Sequence, residues 1–468
     1  MIKNLLTYGF ALFVLYSCKV TKDIRTPELV LPDSFRNAVA VTDTNSIADM
    51  QWKSFFTDAP LQQLIDSAIV KNFDMQVAVK NIESAQLLFK QVKWNYLPSA
   101  NLNMGAGSSR PSDNSLNGLS ASQFLKTTHI EDYTANVGLS WEADIWGKIR
   151  NQKSSALAQY LQTTEAKKAI QTNIIANVSQ GYYNLLMLDA QLAIAKRNLA
   201  LDDSTLLIIR LQYNAGQVTS LAIQQAEAQQ LVAAQLIPQF EQDRLLQENA
   251  ISILTGELPG AITTNTLLDR IALPDSLSAG VPALLVKRRP DVRSYELALA
   301  IANANVGITQ AAMYPSLTIT AAAGINSFKA SNWFNIPASL FGAVAGGISQ
   351  PLFQHKQLKT QLEIAKVERE KTVIQFRQSV LVAVGEVSDA LARIEKLKTQ
   401  KAIAVTRVNT LQQAIRNSAL LFQNGMATYL EVITAQSNAL QSELDLAVLK
   451  RAELSAAVEL YRSLGGGQ

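Results

Sequence analysis

Hydrophobic positions recur along this chain with two different periods. From about Arg150 to Leu211 there is no proline and a single glycine, Gly181. Within that run Ile174, Val178, Gly181, Leu185, Leu188, Leu192, Ala195 and Leu199 step alternately by 4 and 3. This is heptad spacing, and it predicts helices packed side by side along their length. Phe376, Val380, Ala383, Val387, Ala390, Ile394 and Leu397 repeat it, and Ala404, Val408, Leu411, Ile415, Ser418 and Phe422 resume it beyond Lys401. A helix of about 60 residues rises roughly 90 Å, far beyond the usual globular helix. Leu186, Met187 and Ile194 lie outside the seam, so each helix is expected to bury two sides. Both long patterns run into a glycine, Gly216 or Gly425, and a new periodic run follows each. Thr219, Ser220 and Thr428 offer hydroxyls to cap the returning helices. The prediction is two antiparallel hairpins with tips at Gly216 and Gly425. Pro238 falls inside the first returning helix and is expected to kink or break it.

Four stretches change to period 2. Ala100, Leu102, Met104 and Ala106 alternate with Asn101, Asn103 and Gly105; Tyr133, Ala135, Val137, Leu139 and Trp141 alternate with Thr134, Asn136, Gly138 and Ser140. Leu317, Ile319, Ala321 and Ala323 alternate with Thr318, Thr320 and Gly324. A weaker, glycine-rich stretch runs from about Leu340 to Leu352. An apolar face opposite a small polar one fits a lipid-embedded barrel wall, and a half-buried soluble sheet gives the same alternation. The segments between the strands, Ser108 to Asp132 and Lys329 to Pro337, read as polar loops.

The whole order of elements occurs twice. Trp94-Asn95-Tyr96-Leu97-Pro98-Ser99 echoes Ala312-Met313-Tyr314-Pro315-Ser316, and Tyr213-Asn214-Ala215-Gly216 echoes Phe422-Gln423-Asn424-Gly425. An offset of about 210 residues is too long for a solenoid unit and fits a duplicated domain half. The layout read from this is a signal segment 1–17, an extended linker 18–60, a first repeat 61–280 and a second repeat 281–468. The first repeat holds strands near 96–107 and 133–146; the second holds strands near 315–328 and 340–353.

The amino terminus places the chain. Lys3, an apolar run from Leu5 to Leu15, and then Leu15-Tyr16-Ser17-Cys18 form a signal peptide too short to anchor a helix, ending in a lipobox. Cys18 is the only cysteine in 468 residues, so it is a lipidation candidate and no disulfide can close within the chain. Lys19, not an aspartate, follows it, which favours the outer membrane. No uncharged apolar stretch after Leu15 reaches the roughly 18 residues a spanning helix needs, so any crossing must use strands. The lipobox therefore tips the strand reading towards a barrel. Barrels need at least about eight strands to close; one chain offers four, so several copies must share one.

Charge and chemistry exclude other classes. The formal charge of +4 balances 42 basic against 38 acidic residues, and no run of like charge points to nucleic acid. The two histidines, His129 and His355, lie in no metal-ligand spacing. No phosphate loop, dinucleotide fingerprint or nucleophile elbow occurs. No catalytic residue, metal or cofactor is expected.

Several motifs in this order resemble the TolC-like outer-membrane efflux family, in its lipoprotein branch serving multidrug pumps. They are Cys18 with Arg25, Pro27, Pro32 and Phe35; Trp52 to Leu61; Ser140-Trp141-Glu142-Ala143-Asp144-Ile145-Trp146-Gly147-Lys148; Gln350-Pro351-Leu352-Phe353; Leu285 to Val292; and Tyr461-Arg462-Ser463-Leu464-Gly465-Gly466-Gly467. The resemblance covers nearly the whole mature chain. It implies a mainly α fold with a β-barrel contribution. Three chains would share a twelve-stranded barrel in outer-membrane lipid, continuous with a long periplasmic α-helical barrel. It implies a periplasmic adaptor docking at Gly216, Thr219, Ser220, Gly425 and Thr428, and an inner-membrane pump of the resistance-nodulation-division type. Relatives close the tip with charged and tyrosine side chains; here Ala222, Phe422 and Ala427 stand at those places. A gate built on Arg210, Phe422 and Glu431 is what the sequence leaves. The expected function is a passive exit duct for drugs or other small molecules. The alternatives are the same channel used for type I protein secretion or heavy-metal efflux, and a non-channel structural coiled-coil lipoprotein.

Overall fold

The computed structural model describes residues 35–36, 46–271, 278–282 and 285–467. The signal segment, Cys18, Arg25, Pro27 and Pro32 lie outside them. Eleven elements carry the architecture among the described residues: α1 (Ala59–Lys71), α2 (Phe73–Trp94), β1 (Ser99–Ser109), β2 (Ile130–Ala143), α3 (Lys148–Asn214), α4 (Ser220–Leu254), α5 (Pro290–Ala311), β3 (Ser316–Ser327), β4 (Leu340–Ser349), α6 (Gln357–Gln423) and α7 (Tyr429–Ser463). Helices α2 and α5 each have 22 residues, α3 and α6 each 67, and α4 and α7 each 35. Helix, two strands, long helix and returning helix thus occur twice, with matched helix lengths.

The chain divides into two compact units. One contains residues 84–161 and 297–374, including all four strands. Its sheet is antiparallel in the order β1-β2-β3-β4. Helix α3 begins where β2 ends because Asp144 accepts from the amides of Ile149 and Arg150, both at 2.9 Å. That side-chain cap satisfies orphan donors of the first turn, and Gly147 takes the positive φ of +76° that the turn requires. β2 therefore stops at Ala143 rather than running to 146, and β4 stops at Ser349, short of Pro351, which has no amide to donate. The expected polar loop after β1 holds a short helix, Leu116–Ser120, and a π turn, Ala121–Leu125; Ser115 caps the helix by accepting from the Gly118 amide.

The other unit contains residues 28–83, 162–296 and 375–468. Its core is the predicted seam. Ile174, Val178, Leu185, Leu188 and Ala195 of α3 are buried with Phe376, Val380, Ala383, Val387, Ala390 and Ile394 of α6. The second side forms too, since Tyr182, Leu186 and Met187 are buried in the same cluster. Phe55 stacks on Tyr461 at 4.4 Å, and Phe56 meets the same ring edge-on. That contact explains the opening Trp52–Leu61 motif: it brings an amino-terminal segment onto the end of α7. Asp58 in the same motif accepts from Tyr182 and Thr266, both at 2.6 Å. Burial and the Asp58 carboxylate hold the Tyr182 phenol well above its ordinary range.

Pro238 does not break its helix. It sits inside α4, which runs unbroken from Ser220 to Leu254. Proline removes one amide donor, and here the adjacent Leu236 and Ile237 pack against the main core. Tertiary packing outweighs the lost bond.

Candidate channel wall and tip

The strand register sorts the sheet into two faces. Opposed rows run Leu102–Val137–Ala323–Gly342, Ala100–Leu139–Ala321–Val344 and Met104–Ala135–Ile325–Leu340. The rows between them run Asn101–Gly138–Ala322–Ala343 and Ser99–Ser140–Thr320–Ala345. Because strand side chains alternate, one face is apolar across these rows and the other is mostly small and polar, with Phe341 beside Gly324 a large apolar exception. Among the described residues nothing covers the apolar face: Leu102 is 69% exposed, Val344 81% and Ile348 77%. Such a surface in water marks a binding or membrane surface. Tyr133 and Trp141 lie near the two ends of that face. Eight residues at about 3.3 Å each separate them by roughly 26 Å, close to the height of an outer-membrane apolar band with aromatic girdles. β1 and β4 are open edges, each with one strand partner.

The strand-to-helix junctions are held by the tryptophans of the Trp141–Gly147 motif. The Trp141 indole donates to the Tyr96 carbonyl at 2.9 Å, and that of Trp146 donates to the Pro315 carbonyl at 2.7 Å while stacking on Tyr314 at 4.9 Å. Tyr96 and Tyr314 are the duplicated positions noted in the sequence. Lys148 pairs with Glu142 at 3.0 Å. Gly324 sits where β3 presses on β2: a Cβ there would lie 2.1 Å from the Ala135 carbonyl oxygen.

At the tips, α3 and α6 end in matching Schellman turns. Gly216 donates to Tyr213 and Gln217 to Gln212; Gly425 donates to Phe422 and Met426 to Leu421. Both glycines have positive φ, +72° and +69°, and a Cβ on either would meet nothing within 4 Å. Thr219, Ser220 and Thr428 are exposed beside them. Thr219 makes no side-chain cap, contrary to expectation, whereas Thr428 and Glu431 form a capping box in which the Glu431 carboxylate accepts from both the amide and the hydroxyl of Thr428.

The expected gate residues occupy three environments. Phe422 is buried in a small core with Leu206, Ile209, Ala222, Ala226 and Val432, between the two hairpins. Arg210 is half exposed and faces Glu227 of its own hairpin at 3.8 Å. Glu431 is taken up by Thr428, so no Arg210–Glu431 pair forms within the chain. The Tyr429 hydroxyl donates to Gln225 at 2.7 Å and ties the hairpins together.

Arg289 stands in the Leu285–Val292 motif, where nothing in the sequence marks a role for it. It is buried, and its guanidinium reaches Asp291 at 2.6 Å, Glu386 at 2.7 Å and the Ser463 carbonyl at 3.1 Å. Arg462 also reaches Glu386, at 3.3 Å. Although burial opposes ionisation of Asp291, Arg289 holds its carboxyl below the ordinary value. The end of α7 is thereby fastened to the start of α5. Among the described residues no group of three or more His, Cys, Asp and Glu could hold a metal ion, and no helix is long and apolar enough to cross a membrane.

The sequence profile of the family described as "Outer membrane efflux protein" matches residues 64–257 and 281–466. The chain belongs to that family. It is 28% identical over 471 residues to the cation efflux system protein CusC of Escherichia coli, covering 99% of this chain and 98% of that one. It is 30% identical over 428 residues to the toluene efflux pump outer membrane protein TtgF of Pseudomonas putida, covering 90% and 86%. Among solved structures it resembles the open-state MtrE outer membrane channel of Neisseria gonorrhoeae, with TM-score 0.85, 25% identity and coverage of 96% and 98%. Crystal structures of CusC give TM-score 0.83, 26% identity and coverage of 96% and 100%. This family member is an outer-membrane efflux channel, and its uncovered apolar sheet face is the surface such a location requires.

Proposed function

We propose that three copies of this chain form a passive, lipid-anchored exit duct of a tripartite efflux pump. The observation that carries this is the four-stranded sheet with two open edges and an uncovered apolar face. Open edges cannot face lipid, and four strands cannot close a barrel; three copies joined edge to edge supply twelve. Ile364, Val367, Ile374 and Leu381 form a second, exposed apolar stripe along α6, as a helix does when it packs against another subunit. Cys18 carries the lipid anchor. The tip residues Gly216, Thr219, Ser220, Gly425 and Thr428 receive a periplasmic adaptor, through which an inner-membrane pump of the resistance-nodulation-division type supplies energy. Arg210, Phe422 and Glu431 serve the closed state. Phe422 acts through packing between hairpins, and the two charged residues act through the local pairs described above. Opening is a switch between two packings of the hairpins.

Planar-bilayer conductance of the purified protein tests the duct: discrete pores from a species of trimer mass are expected, and their absence sinks the reading. Relatives named for cation efflux and for toluene efflux are about equally similar to this chain, so organic solutes and metal ions both remain as cargo. Susceptibility of a deletion strain to organic toxicants against metal-cation salts separates them.

The tip makes its own prediction. Gly425→Val forces a β-branched side chain into positive φ, costing about 1–2 kcal/mol, yet it meets no neighbour. The variant is expected to assemble and conduct normally while adaptor retention in pull-downs falls at least about tenfold, because close approach of helix ends depends on the missing side chain. Unchanged adaptor retention would leave Gly425 as a cap only.

A further inference from the structure

The heptad seam of α3 continues past Leu199 to Asp202, Leu206 and Ile209. Asp202 is 4% exposed, and its Oδ2 has no hydrogen-bond partner. Across the seam, Gln436 of α7 is 3% exposed; its Nε2 donates to Thr205 at 2.8 Å and its Oε1 has no partner. The Thr205 hydroxyl is itself spent on the Leu201 carbonyl at 3.1 Å. Gln436 thus meets α3 at Thr205, three residues and about one turn from Asp202, and each of the two residues carries an orphaned acceptor. Neighbouring polar contacts across this seam are satisfied: Asn198 donates to Glu443 at 3.4 Å. Orphaned buried polar atoms cost free energy.

We propose that Asp202 and Gln436 form a proton-operated latch between the two hairpins, closed when Asp202 is a carboxylic acid and released when it ionises. A proton taken from solvent onto Asp202 Oδ2 creates an O–H that donates to Gln436 Oε1. Loss of that proton leaves a buried anion facing a carbonyl dipole. Among the described residues no cation relieves it. On α3, Arg197 is held by Glu443 of α7 at 2.5 Å and Arg210 faces Glu227 of α4. Asp203, next in the chain, adds a like charge and is itself bonded to Gln230 of α4 at 2.5 Å. On α7 the nearest charged groups, Glu431 and Glu443, are acids committed elsewhere. On α6, Arg416 is exposed.

Burial first, and Asp203 second, push the Asp202 carboxyl up to about 6. The latched state binds the proton more tightly than an opened, hydrated carboxyl near 3.8. Its advantage is therefore fully present below pH 3.8 and lost as pH rises to about 6. The closed-to-open ratio is expected to fall about tenfold between pH 5 and pH 7.

The inference rests on the exit-duct reading, and one experiment separates the two. Conductance is recorded from pH 4.5 to 7.5 for the wild type, Asp202→Asn and Gln436→Leu. Infrared spectra of the same samples follow the protonated carboxyl stretch. Open probability of the wild type should rise with pH. Asp202→Asn, whose amide donates to Gln436 at every pH, should stay closed, and Gln436→Leu should stay open. A carboxyl band titrating near pH 6 should vanish in Asp202→Asn. Pores that ignore pH, an Asn variant that still titrates, or no such band would overturn the latch and leave the duct standing. Absence of pores from every variant would remove the duct and the gate together, whatever the infrared band shows.

Discussion

Replacing Arg289 with alanine is expected to lower the stability of the helical unit by about 3 kcal/mol, the lower end of the range for breaking a buried ion pair. The reasoning is geometric. The guanidinium is almost fully buried and joins Asp291, Glu386 and the Ser463 carbonyl, so three separate segments lose one shared partner. Two features keep the figure below the upper end: Asp291 is nearly half exposed and can rehydrate, and Glu386 retains Arg462. The carbonyl of Ser463 has no such reserve. The first visible damage is therefore expected at the end of α7 and the Gly465–Gly467 tail, which packs close against the Arg288 backbone and the Tyr461 ring. Arg289→Lys keeps the charge and loses the fork, so an intermediate effect is expected. Chemical denaturation and limited proteolysis of the carboxyl-terminal tail measure both variants. Wild-type stability in Arg289→Ala would show that the knot is only decorative.

Val137→Arg is expected to cost about 2–4 kcal/mol per chain, the penalty for a cation at the bilayer midplane on a barrel's lipid face. Val137 lies midway between Tyr133 and Trp141 on the apolar face, in the row with Leu102 and Ala323. Three copies multiply the penalty, so loss of the heat-resistant oligomer band and of outer-membrane yield is expected. Thr320→Arg is the control. It sits on the other face, beside Ser140 and Ala345, where a charge meets water and should alter conductance without blocking assembly. If the two variants behave alike, the assignment of the faces is wrong.

The sequence announced the seam because heptad spacing is a long signal: many positions along α3 and α6 must agree, and a single exception such as Gly181 does not hide them. Gly216 and Gly425 were legible for a local reason, since positive φ at a helix end selects glycine. Chain contacts between distant segments were not legible. Arg289 looked like one of several basic residues until folding brought Glu386 and Ser463 to it. Of the kink or break that local propensity predicts at Pro238, the break does not occur, and packing of Leu236 and Ile237 shows why the helix continues. The Thr428 cap was legible, but its reciprocal partner was not: Glu431, three residues on, closes a capping box with it. Asp202 carried a signal that went unread: continuing the steps of 4 and 3 from Leu199 lands on an acid in the seam. The short helix at Leu116 and the exact strand ends depended on caps such as Ser115 and Asp144, which sequence spacing marks only weakly.

The paired lengths of α3 with α6, and of α4 with α7, make reach a joint property of the two copies. Excising one heptad from α3 alone would withdraw the Gly216 tip by roughly 10 Å at 1.5 Å per residue, leaving the Gly425 tip standing proud. The twin spans therefore act as a ruler that can be recut only in duplicate. Any lineage or designer altering the distance this protein bridges must edit both halves by the same whole number of turns.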